Sequence, residues 1–397
     1  MPEPRVALVA DLRSERWTSM DLVADMLLSH LGTSAAAAGL SVDMLCPELP
    51  PSLVRHLPRG ATLERYLQRF VAYPRWLARR ANQFQAFHVV DHSYAHVVLN
   101  LPAARTVVTC HDADAFLPLV APHLTSSRLP LTLVRRLLHG MQSAAHVACP
   151  SAATRDELLQ YGLVPAERIT VVPNGVHPIF HAAPDAEAAA FVANLLGDNS
   201  ASDLLHVGSC IPRKRIDRLL EVVAAVRRTH PQARLIRVGG PLTTEQRAHA
   251  ERLGIAAAIV TMPRLDTAQL AALYRRVRAV VLTSDREGFG SPVVEGLACG
   301  TPVIATDLAV FREVGGSQAQ YCPLEDIARW HDAIAAVLDD SSSAEQQDAA
   351  RAARVAWASR FSWDHYADAM AAIYRQLSGG GGIRPVSASS LGRGAVV

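Results

Sequence analysis

The sequence predicts an α/β protein built from two Rossmann-like halves, each with its own parallel sheet. Short apolar runs rich in β-branched residues alternate with longer helical patterns along the chain, which is typical of parallel sheets with crossover helices. The runs are almost continuously apolar, as expected for strands covered on both faces. A length of 397 residues is enough for two or three domains with cores of their own.

Eleven apolar runs are predicted as strands. They are 6–10, 42–45, 88–90, 106–110, 146–149, 169–172, 204–207, 235–238, 258–261, 280–283 and 303–305. Helical patterns such as 216–228 and 267–276 lie between them. Each half therefore has the alternating order of a parallel α/β unit.

The composition changes between about residues 181 and 202, where the sequence predicts an alanine-rich helix between polar ends. We interpret it as the inter-domain connection, which gives domains over 1–185 and 200–360. An amphipathic helix is predicted over 361–377. The glycine-rich end, 378–397, has no apolar periodicity and is predicted to be disordered.

The composition excludes several classes of protein. A net charge of +2 does not indicate a nucleic-acid partner. The six cysteines form no C-x-x-C pair, which indicates core residues in a reducing compartment and neither disulfides nor a zinc site. The sequence shows no secretory signal and no apolar run long enough to span a bilayer. We therefore expect a cytoplasmic protein.

The segment 52–84 is strongly basic, with seven arginines, one acid and several interleaved aromatic residues. One interpretation is a peripheral surface for an anionic membrane or a lipid-linked acceptor. The other is a solvated helical face whose aromatic side chains lie in the core. We favour the second interpretation, and the first stays open.

The strongest chemical signal is SDREGFGSPVVEGLACGTPVIA, residues 284–305. A strand ends at Ser284, a loop with two glycines follows, and Pro292 suits the start of a helix. The helix is predicted to end near Gly300. Free backbone N–H groups from Ser291 to Val294, together with the helix dipole, predict an anion site suited to phosphate.

Two carboxylates flank this anion site. Glu287 lies in the loop and Glu295 in the helix, with seven residues between them. The loop carboxylate can accept hydrogen bonds from sugar hydroxyls, and the helical one can reach a ribose diol. Taken alone, Glu287 is better explained as a solvated loop acid and Glu295 as a complement to the helix dipole. The complete Glu-Gly-Phe-Gly-x-Pro pattern followed by Glu is much more specific.

Phosphate next to two carboxylates needs a balancing cation, and the segment LLHVGSCIPRKRIDRLL (204–220) supplies it. A strand ends at Gly208, and a short loop brings Arg213 and Lys214 to the start of a helix. Ligands of open α/β sheets bind at such strand ends, where guanidinium and ammonium groups reach a diphosphate. Lys214 is the one lysine among 39 basic residues, which favours a function over a solvated turn.

These two segments resemble the C-terminal half of retaining glycosyltransferase family 4, the group 1 glycosyl transferases with the GT-B fold. The two glutamates are the hallmark of that family. The segments VVTCHD, CPSAATRDEL, ITVVPNGV and MPRLDTAQLAALY also resemble it, as does the final FSWDHYADAMAAIYRQL. The resemblance covers most of the chain. It implies two Rossmann-like domains facing a central cleft, with the helix 361–377 crossing back to the first domain.

The resemblance implies a role for each matching residue. Arg213 and Lys214 would hold the donor pyrophosphate without a metal or other cofactor, Glu287 the donor sugar and Glu295 the ribose. His111 would face the sugar from the other domain, although a structural histidine is the simpler alternative. The remaining donor contacts would be Gly208, Ser209, Arg264, Leu265, Phe289, Gly290, Ser291, Val293 and Val294.

The implied activity is retaining transfer of a hexosyl group from a nucleotide-diphosphate sugar to a glycan or lipid-linked acceptor, in bacterial polysaccharide or glycolipid synthesis. One departure concerns the glycine-rich loop of the family, which is replaced here by ADLRSERWTSM (10–20). That loop contains Arg13, Arg16, Trp17 and Ser19 as tentative acceptor contacts. Asp112 and Asp114 are rejected as metal ligands. A nucleotide-sugar epimerase and a non-catalytic sugar-nucleotide-binding protein remain as alternatives.

Overall fold

The computed structural model describes residues 3–34, 37–50, 60–125, 130–197 and 202–379. The chain forms two compact units. The first comprises Met1–Gly175 together with Ser362–Val397, and the second comprises Val176–Phe361. The division between them therefore falls at 175/176, ten residues before the predicted limit of 185.

The first unit is built on a six-stranded parallel sheet with the order β2-β1-β3-β4-β5-β6. Its strands are β1 (Arg5–Val9), β2 (Ser41–Leu45), β3 (Ala86–Val89), β4 (Thr106–Thr109), β5 (His146–Cys149) and β6 (Ile169–Val171). Its helices are α1 (Thr18–Leu31), α2 (Gly60–Leu67), α3 (Tyr73–Ala78), α4 (Leu117–Val120), α5 (Leu131–Ser143), α6 (Ala152–Gln160) and the last helix of the chain. Strands β3, β4 and β5 are buried along their whole length, so the sheet lies in the middle of the unit.

The second unit repeats this plan with the strand order β12-β11-β10-β7-β8-β9, again all parallel. Its strands are β7 (Asp203–Val207), β8 (Arg234–Val238), β9 (Ile259–Thr261), β10 (Ala279–Leu282), β11 (Val303–Thr306) and β12 (Ala319–Cys322). Its helices are α7 (Ala186–Leu196), α8 (Ile216–Arg227), α9 (Thr244–Arg252), α10 (Thr267–Arg276), α11 (Ser291–Ala298), α12 (Ala309–Gly315), α13 (Ile327–Leu338) and α14 (Ala344–Ala358).

All eleven predicted strands are present, each within one or two residues of its predicted ends. The sequence analysis missed β12, which lies at the edge of the second sheet. Its residues are partly exposed except for Cys322. A short edge strand needs no continuous apolar run, so it gave no signal.

The last helix, α15 (Trp363–Ser378), belongs to the first unit although it follows the second along the chain. Its inner face contributes Trp363, Tyr366, Met370 and Tyr374 to a core shared with α1. The Tyr374 hydroxyl also lies 2.7 Å from Nδ1 of His88 on β3. The chain thus returns to its first unit, as the family resemblance implies. The predicted disordered tail lies outside the described residues from 380 onward.

The stretch predicted as the inter-domain connection is not a free linker. Most of it forms α7, which packs on α10 of the second unit and buries Ala188, Val192 and Leu196. The alanine-rich composition is therefore that of a packed helix within a domain. Residues 198–201 of the predicted connection lie outside the described residues.

The aromatic residues of the basic segment pack inward. Tyr73 is fully buried, and Phe70 and Trp76 lie partly buried against the core of the first unit. Arg69 forms an ion pair with Glu15 at 3.1 Å. These contacts favour the interpretation in which the aromatic side chains serve the core. Residues 52–59 of the segment lie outside the described residues. Among the helices that the structure describes, none is long and apolar enough to cross a membrane.

Candidate functional site

The predicted phosphate-binding loops meet at the carboxyl ends of β7 and β10, which are neighbouring parallel strands. The Asp285 N–H donates to the Arg213 carbonyl at 2.8 Å. The Thr283 hydroxyl donates to the carbonyls of Lys214 and Arg215 at 3.2 and 3.1 Å. These bonds fix the loop after β7 to the loop after β10, and they hold both cationic side chains at one sheet edge.

Glu287 is the centre of this arrangement. Its carboxylate accepts hydrogen bonds from Arg213 Nη1 at 2.7 Å, from Lys214 Nζ, and from Ser284 Oγ at 2.7 Å. Arg213 Nη1 also donates to the Arg286 carbonyl at 3.0 Å. Two cations share one carboxylate, so the cluster carries a surplus positive charge available to an anion.

The charge balance decides the protonation of Glu287. Its side chain is 10% exposed, and burial alone raises the pKa of a carboxyl group. The charges of Lys214 and Arg213, with hydrogen bonds from Lys214 and Ser284, outweigh this and lower the Glu287 pKa below its usual value. Glu287 is therefore ionised at neutral pH and accepts hydrogen bonds from all of its partners.

The helix α11 begins at Ser291, one residue before the predicted start at Pro292. Gly290 caps it with φ of +90°, and a side-chain carbon there would lie 2.8 Å from the Phe311 ring, so only glycine fits. Ser291 is the first helical residue and Pro292 the second. The Val293 N–H donates to the Gly290 carbonyl at 2.9 Å. The prediction of a free N–H at Val293 is therefore wrong for this structure, because that group closes the first turn.

Glu295 has a different environment from Glu287. Tyr274 on α10 donates its phenol hydrogen to Glu295 Oε2 at 2.7 Å. Burial raises the pKa of Glu295 to about 7, and the hydrogen bond from Tyr274 offsets only part of that rise. Glu295 therefore changes protonation near neutral pH. Tyr274 was missed as a site residue, although it lies in the segment MPRLDTAQLAALY that carries the resemblance.

The other predicted donor contacts are placed on the surrounding loops. Gly208 and Ser209 follow β7, and the Gly208 N–H donates to the Val238 carbonyl at 2.9 Å. Arg264 is exposed and Leu265 half-buried on the loop before α10. Phe289 is 7% exposed and packs edge-on against Phe361. The structure thus brings Arg213, Lys214 and Glu287 into direct contact and leaves the base-side residues on a separate loop.

Two buried polar residues beneath this edge were missed. His206 on β7 and Arg237 on β8 are register neighbours, and both are completely buried. Arg237 Nη2 donates to the Gly208 carbonyl at 2.8 Å. Burial, with the charges of Arg237 and Lys214, lowers the His206 pKa well below its usual value, so His206 is neutral. A polar residue inside each of the runs LLHV and LIRV was the available signal.

In the first unit, His111 follows β4 and is 8% exposed. Its Nε2 lies 2.8 Å from the Val90 carbonyl, and its amide nitrogen lies 3.2 Å from His92 Nδ1. Burial lowers the His111 pKa, so the ring is neutral and its Nε2–H donates to Val90. This hydrogen bond holds the ring in place with Nδ1 as its acceptor nitrogen, and the catalytic role of His111 stays a prediction.

His111 is part of a larger polar cluster that the sequence analysis missed. Asp91 lies 3.1 Å from His92 Nδ1, so that nitrogen either donates to Asp91 or accepts the His111 amide. Burial lowers the His92 pKa, but the contacts with Asp91 and Asp112 raise it by more, so the net shift is upward. Asp11 is also buried, and its pKa is raised by burial and by Asp91. These residues follow β1, β3 and β4, so their position at strand ends was the available signal.

The described residues contain no group of three or more His, Cys, Asp or Glu side chains able to hold a metal ion. Asp112 Oδ1 accepts a hydrogen bond from the Asp114 N–H at 3.0 Å, and this bond closes a local turn. Arg213 and Lys214 place positive charge in the loops that follow β7 and β10, which were predicted to hold the donor and are called the donor loops below.

Two family models match the chain. The model of glycosyl transferases group 1 matches residues 193–355, which hold the cation cluster and both glutamates. The model of glycosyltransferase family 4 matches residues 26–179, which hold the His111 loop. Together they cover most of both units.

Curated relatives and solved structures agree with the family models. The chain is 37% identical over 241 residues to the D-inositol 3-phosphate glycosyltransferase of Segniliparus rotundus, covering 58% of this chain and 52% of that protein. It is 30% identical over 237 residues to the glycogen synthase of Mycobacterium tuberculosis, covering 59% of this chain and 54% of that protein. The chain thus spans about half the length of these curated relatives.

The fold is shared over nearly the whole chain with solved structures of low sequence identity. The sucrose-phosphate synthase of Thermosynechococcus elongatus superposes with a TM-score of 0.71 at 22% identity, covering 94% of this chain and 99% of that one. The Anabaena protein HepE, solved in complex with UDP and glucose, superposes with a TM-score of 0.67 at 18% identity, covering 95% and 98%. The architecture is therefore GT-B.

Proposed function

The chain belongs to glycosyltransferase family 4, and on that premise we propose that it transfers a hexosyl group from a nucleotide-diphosphate sugar to a glycan or lipid-linked acceptor. One observation carries the proposal. Arg213 and Lys214 converge on Glu287 at the ends of two neighbouring strands, and two cations there exceed the charge of one carboxylate. A diphosphate is the ligand that such a cluster fits.

Donor binding would redistribute the hydrogen bonds of this cluster. The diphosphate oxygens take bonds from Arg213 and Lys214, since charge-assisted bonds to phosphate are strong. Glu287 then has acceptor capacity for the hydroxyls of the donor sugar. Glu295, which is held by the Tyr274 phenol, accepts from the ribose diol. The two cations supply the positive charge that the departing diphosphate needs, so we expect turnover without a divalent metal.

The proposed chemical step breaks the bond between the anomeric carbon and the diphosphate oxygen, and it forms a bond from that carbon to the acceptor oxygen. The acceptor attacks on the face that the diphosphate leaves, which retains the anomeric configuration. The departing phosphate oxygen takes the proton of the acceptor hydroxyl. The cluster contributes by stabilising charge on the diphosphate and by positioning the donor.

The acceptor is proposed to bind the first unit, in a cavity of about 340 Å³. Trp17, Tyr66 and Phe70 give this cavity aromatic walls, and Arg65 lies in its lining. Arg65 makes no ion pair with any residue that the structure describes. Aromatic faces suit the apolar face of a sugar ring or a lipid group, and Arg65 suits an anionic substituent. Of the tentative acceptor contacts from the sequence, Trp17 lies in this cavity.

The test is a panel of nucleotide sugars screened by thermal shift, beginning with UDP-sugars because a similar structure holds UDP and glucose. A donor at 100 times its Kd stabilises the folded state by about 2.7 kcal/mol, and the Tm rises by several degrees. The donor that raises the Tm is then incubated with EDTA and followed for release of nucleoside diphosphate. The proposal fails if no nucleotide sugar raises the Tm, or if release requires an added metal.

A further inference from the structure

Five arginines surround a second cavity in the second unit, on the sheet edge opposite the donor loops. The cavity measures about 490 Å³ and includes residues that precede β10 and β11, so it lies at the amino-terminal ends of these strands. The arginines are Arg275, Arg276, Arg278, Arg351 and Arg354. Asp340 is the one acidic residue among the described residues that line it. A cavity of this size encloses a small molecule.

Helix ends do not neutralise this charge. The helices α10, α11 and α13 end at the cavity, and α14 begins there. A helix C-terminus carries about half a negative charge and an N-terminus about half a positive one. After subtraction of the three C-termini and Asp340, and addition of the α14 N-terminus, about three positive charges remain uncompensated.

Acidic neighbours outside the lining do not neutralise it either. Arg276 Nε lies 4.0 Å from Asp203, but Arg234 already binds both oxygens of that carboxylate at 2.7 and 2.8 Å. Burial lowers the pKa of Arg354, the positive charge of Arg351 lowers it further, and Asp340 offsets only part of the shift. The surplus positive charge therefore belongs to the cavity itself.

The guanidinium groups are held in place by backbone carbonyls. Arg278 Nε donates to the Val337 carbonyl at 2.8 Å, and Arg354 Nε donates to the Gly300 carbonyl at 2.8 Å. Gly300 has φ of +79°, and a side-chain carbon there would lie 2.4 Å from Arg351 Cγ, so the glycine lets Arg351 cross the backbone. Arg278 Nη2 also donates to the Asp340 carbonyl at 3.3 Å and lies 4.0 Å from the Asp340 carboxylate. A guanidinium has five N–H donors, so these contacts still leave donors for a ligand.

We propose that this cavity binds a small anion that carries several phosphate charges. Arginine forks bind phosphate oxygens in pairs, and a ligand with three or four negative charges matches the uncompensated charge of the cavity. Inorganic polyphosphate, a nucleoside triphosphate and a sugar bisphosphate share this chemistry. The site is separate from the donor loops, which lie at the other edge of the sheet, and it does not depend on the proposed transferase activity.

The test uses a protein whose donor cluster has been disabled, the double variant Arg213→Gln/Lys214→Gln. Inorganic tripolyphosphate is titrated into this variant by isothermal titration calorimetry. We expect one-to-one binding that weakens as salt is added. Adding Arg275→Gln and Arg351→Gln to the same protein should weaken binding at least about tenfold, because two paired contacts to phosphate are removed. Circular dichroism melts establish that each variant is folded.

The matched control adds Arg247→Gln and Arg329→Gln, two exposed arginines of the same unit that do not line the cavity. These should leave the affinity within about twofold. Equal weakening by both pairs would attribute binding to overall charge and overturn the proposal, as would the absence of tripolyphosphate binding. Titrations with a nucleoside triphosphate and a sugar bisphosphate then show whether an organic phosphate binds more tightly than the inorganic one and is the ligand.

Discussion

The loop after β10 and the first turns of α11 each contain one glutamate, and the two glutamates have opposite pKa shifts. Glu287 in the loop contacts two cations and a hydroxyl, and its pKa is lowered despite burial. Glu295 in the helix contacts a neutral phenol, and burial raises its pKa to about 7. The two residues belong to one sequence pattern, so their residue type alone does not set their charge.

Both carboxylates are buried, so the difference shows that nearby positive charge, and not burial alone, decides whether a carboxylate is ionised here. Lys214 and Arg213 keep Glu287 ionised, and together with it they carry one net positive charge that a phosphate would balance. Among the described residues no cation pairs with Glu295, and the single hydrogen bond from Tyr274 leaves its pKa near 7. Hydrogen bonds from a diol favour the ionised form of a carboxyl group. Donor binding would therefore be coupled to proton release from Glu295.

The largest effect is expected from Lys214→Ala. If Lys214 stabilises the departing diphosphate, kcat/KM for the donor should fall about 100- to 1,000-fold, the range found when one stabilising donor is removed from a transition-state site. Steady-state kinetics with the nucleotide sugar identified by thermal shift measures this. The folded protein should keep its Tm within a few degrees, since Arg213 and Ser284 still contact Glu287.

Arg218→Ala is the matched control for this variant. Arg218 lies one turn into α8 and pairs with Glu221 and Glu325, so its loss removes one positive charge near the site without touching Glu287. Turnover should stay within about twofold, because exposed ion pairs contribute little. Unchanged turnover in Lys214→Ala would mean that the cation cluster is structural.

The next largest effect concerns stability and pH in Glu295→Gln. The folded-state pKa of Glu295 is raised from 4.5 to about 7, so its contribution to stability is fully present below pH 4.5 and is lost as the pH rises through 7. A shift of this size corresponds to about 3 kcal/mol. Glutamine resembles the protonated acid, and Glu295→Gln should therefore match the wild type at pH 4.5 and exceed its stability at pH 8. Urea unfolding at both pH values measures the difference.

Glu287→Gln should change the stability at pH 8 in the opposite direction from Glu295→Gln. The folded-state pKa of Glu287 is lowered, so its stabilisation is present above pH 4.5 and lost as the pH falls through the folded-state value. The variant should be less stable than the wild type at pH 8, because Arg213 and Lys214 lose their counter-charge. If both variants shifted stability in the same direction at pH 8, the contrast between the two carboxylates would be wrong.

The sequence predicts the parts of this site that depend on local order. Strand ends, the helix start after Gly290, and the pairing of the β7 and β10 loops all follow from apolar runs and from the edge rule for parallel sheets. Glu287 and the cations were found together for that reason. The edge strand β12 was missed because it is short and partly exposed. The helix α7 was predicted but assigned to the inter-domain connection, because its packing on α10 is a tertiary contact that composition does not show.

The sequence does not predict which buried polar side chains touch. Tyr274 and Glu295 are 21 residues apart, and their contact depends on how α10 packs against α11. His206 and Arg237 meet through strand register, which single apolar runs do not fix. The cluster of Asp11, Asp91, His92 and Asp112 combines three strand ends. These contacts depend on tertiary packing, which decides the pKa values and leaves no trace in local spacing.

The smallest effect is expected from Tyr274→Phe, which removes the hydrogen bond that the phenol donates to Glu295 and leaves the ring in the core. A hydrogen bond to a charged group contributes about 1.5 kcal/mol or more and one to a neutral group about 1 kcal/mol. The variant should therefore lose more stability at pH 8, where Glu295 is ionised, than at pH 5. The Glu295 pKa should also rise, since the hydrogen bond from the phenol lowers it.

Tyr321→Phe is the control, because its hydroxyl donates to the carbonyls of Phe311 and Gly316 at 3.1 and 2.8 Å. Its loss should be equal at both pH values, and an equal loss for Tyr274→Phe would show that the phenol does not sense the charge of Glu295.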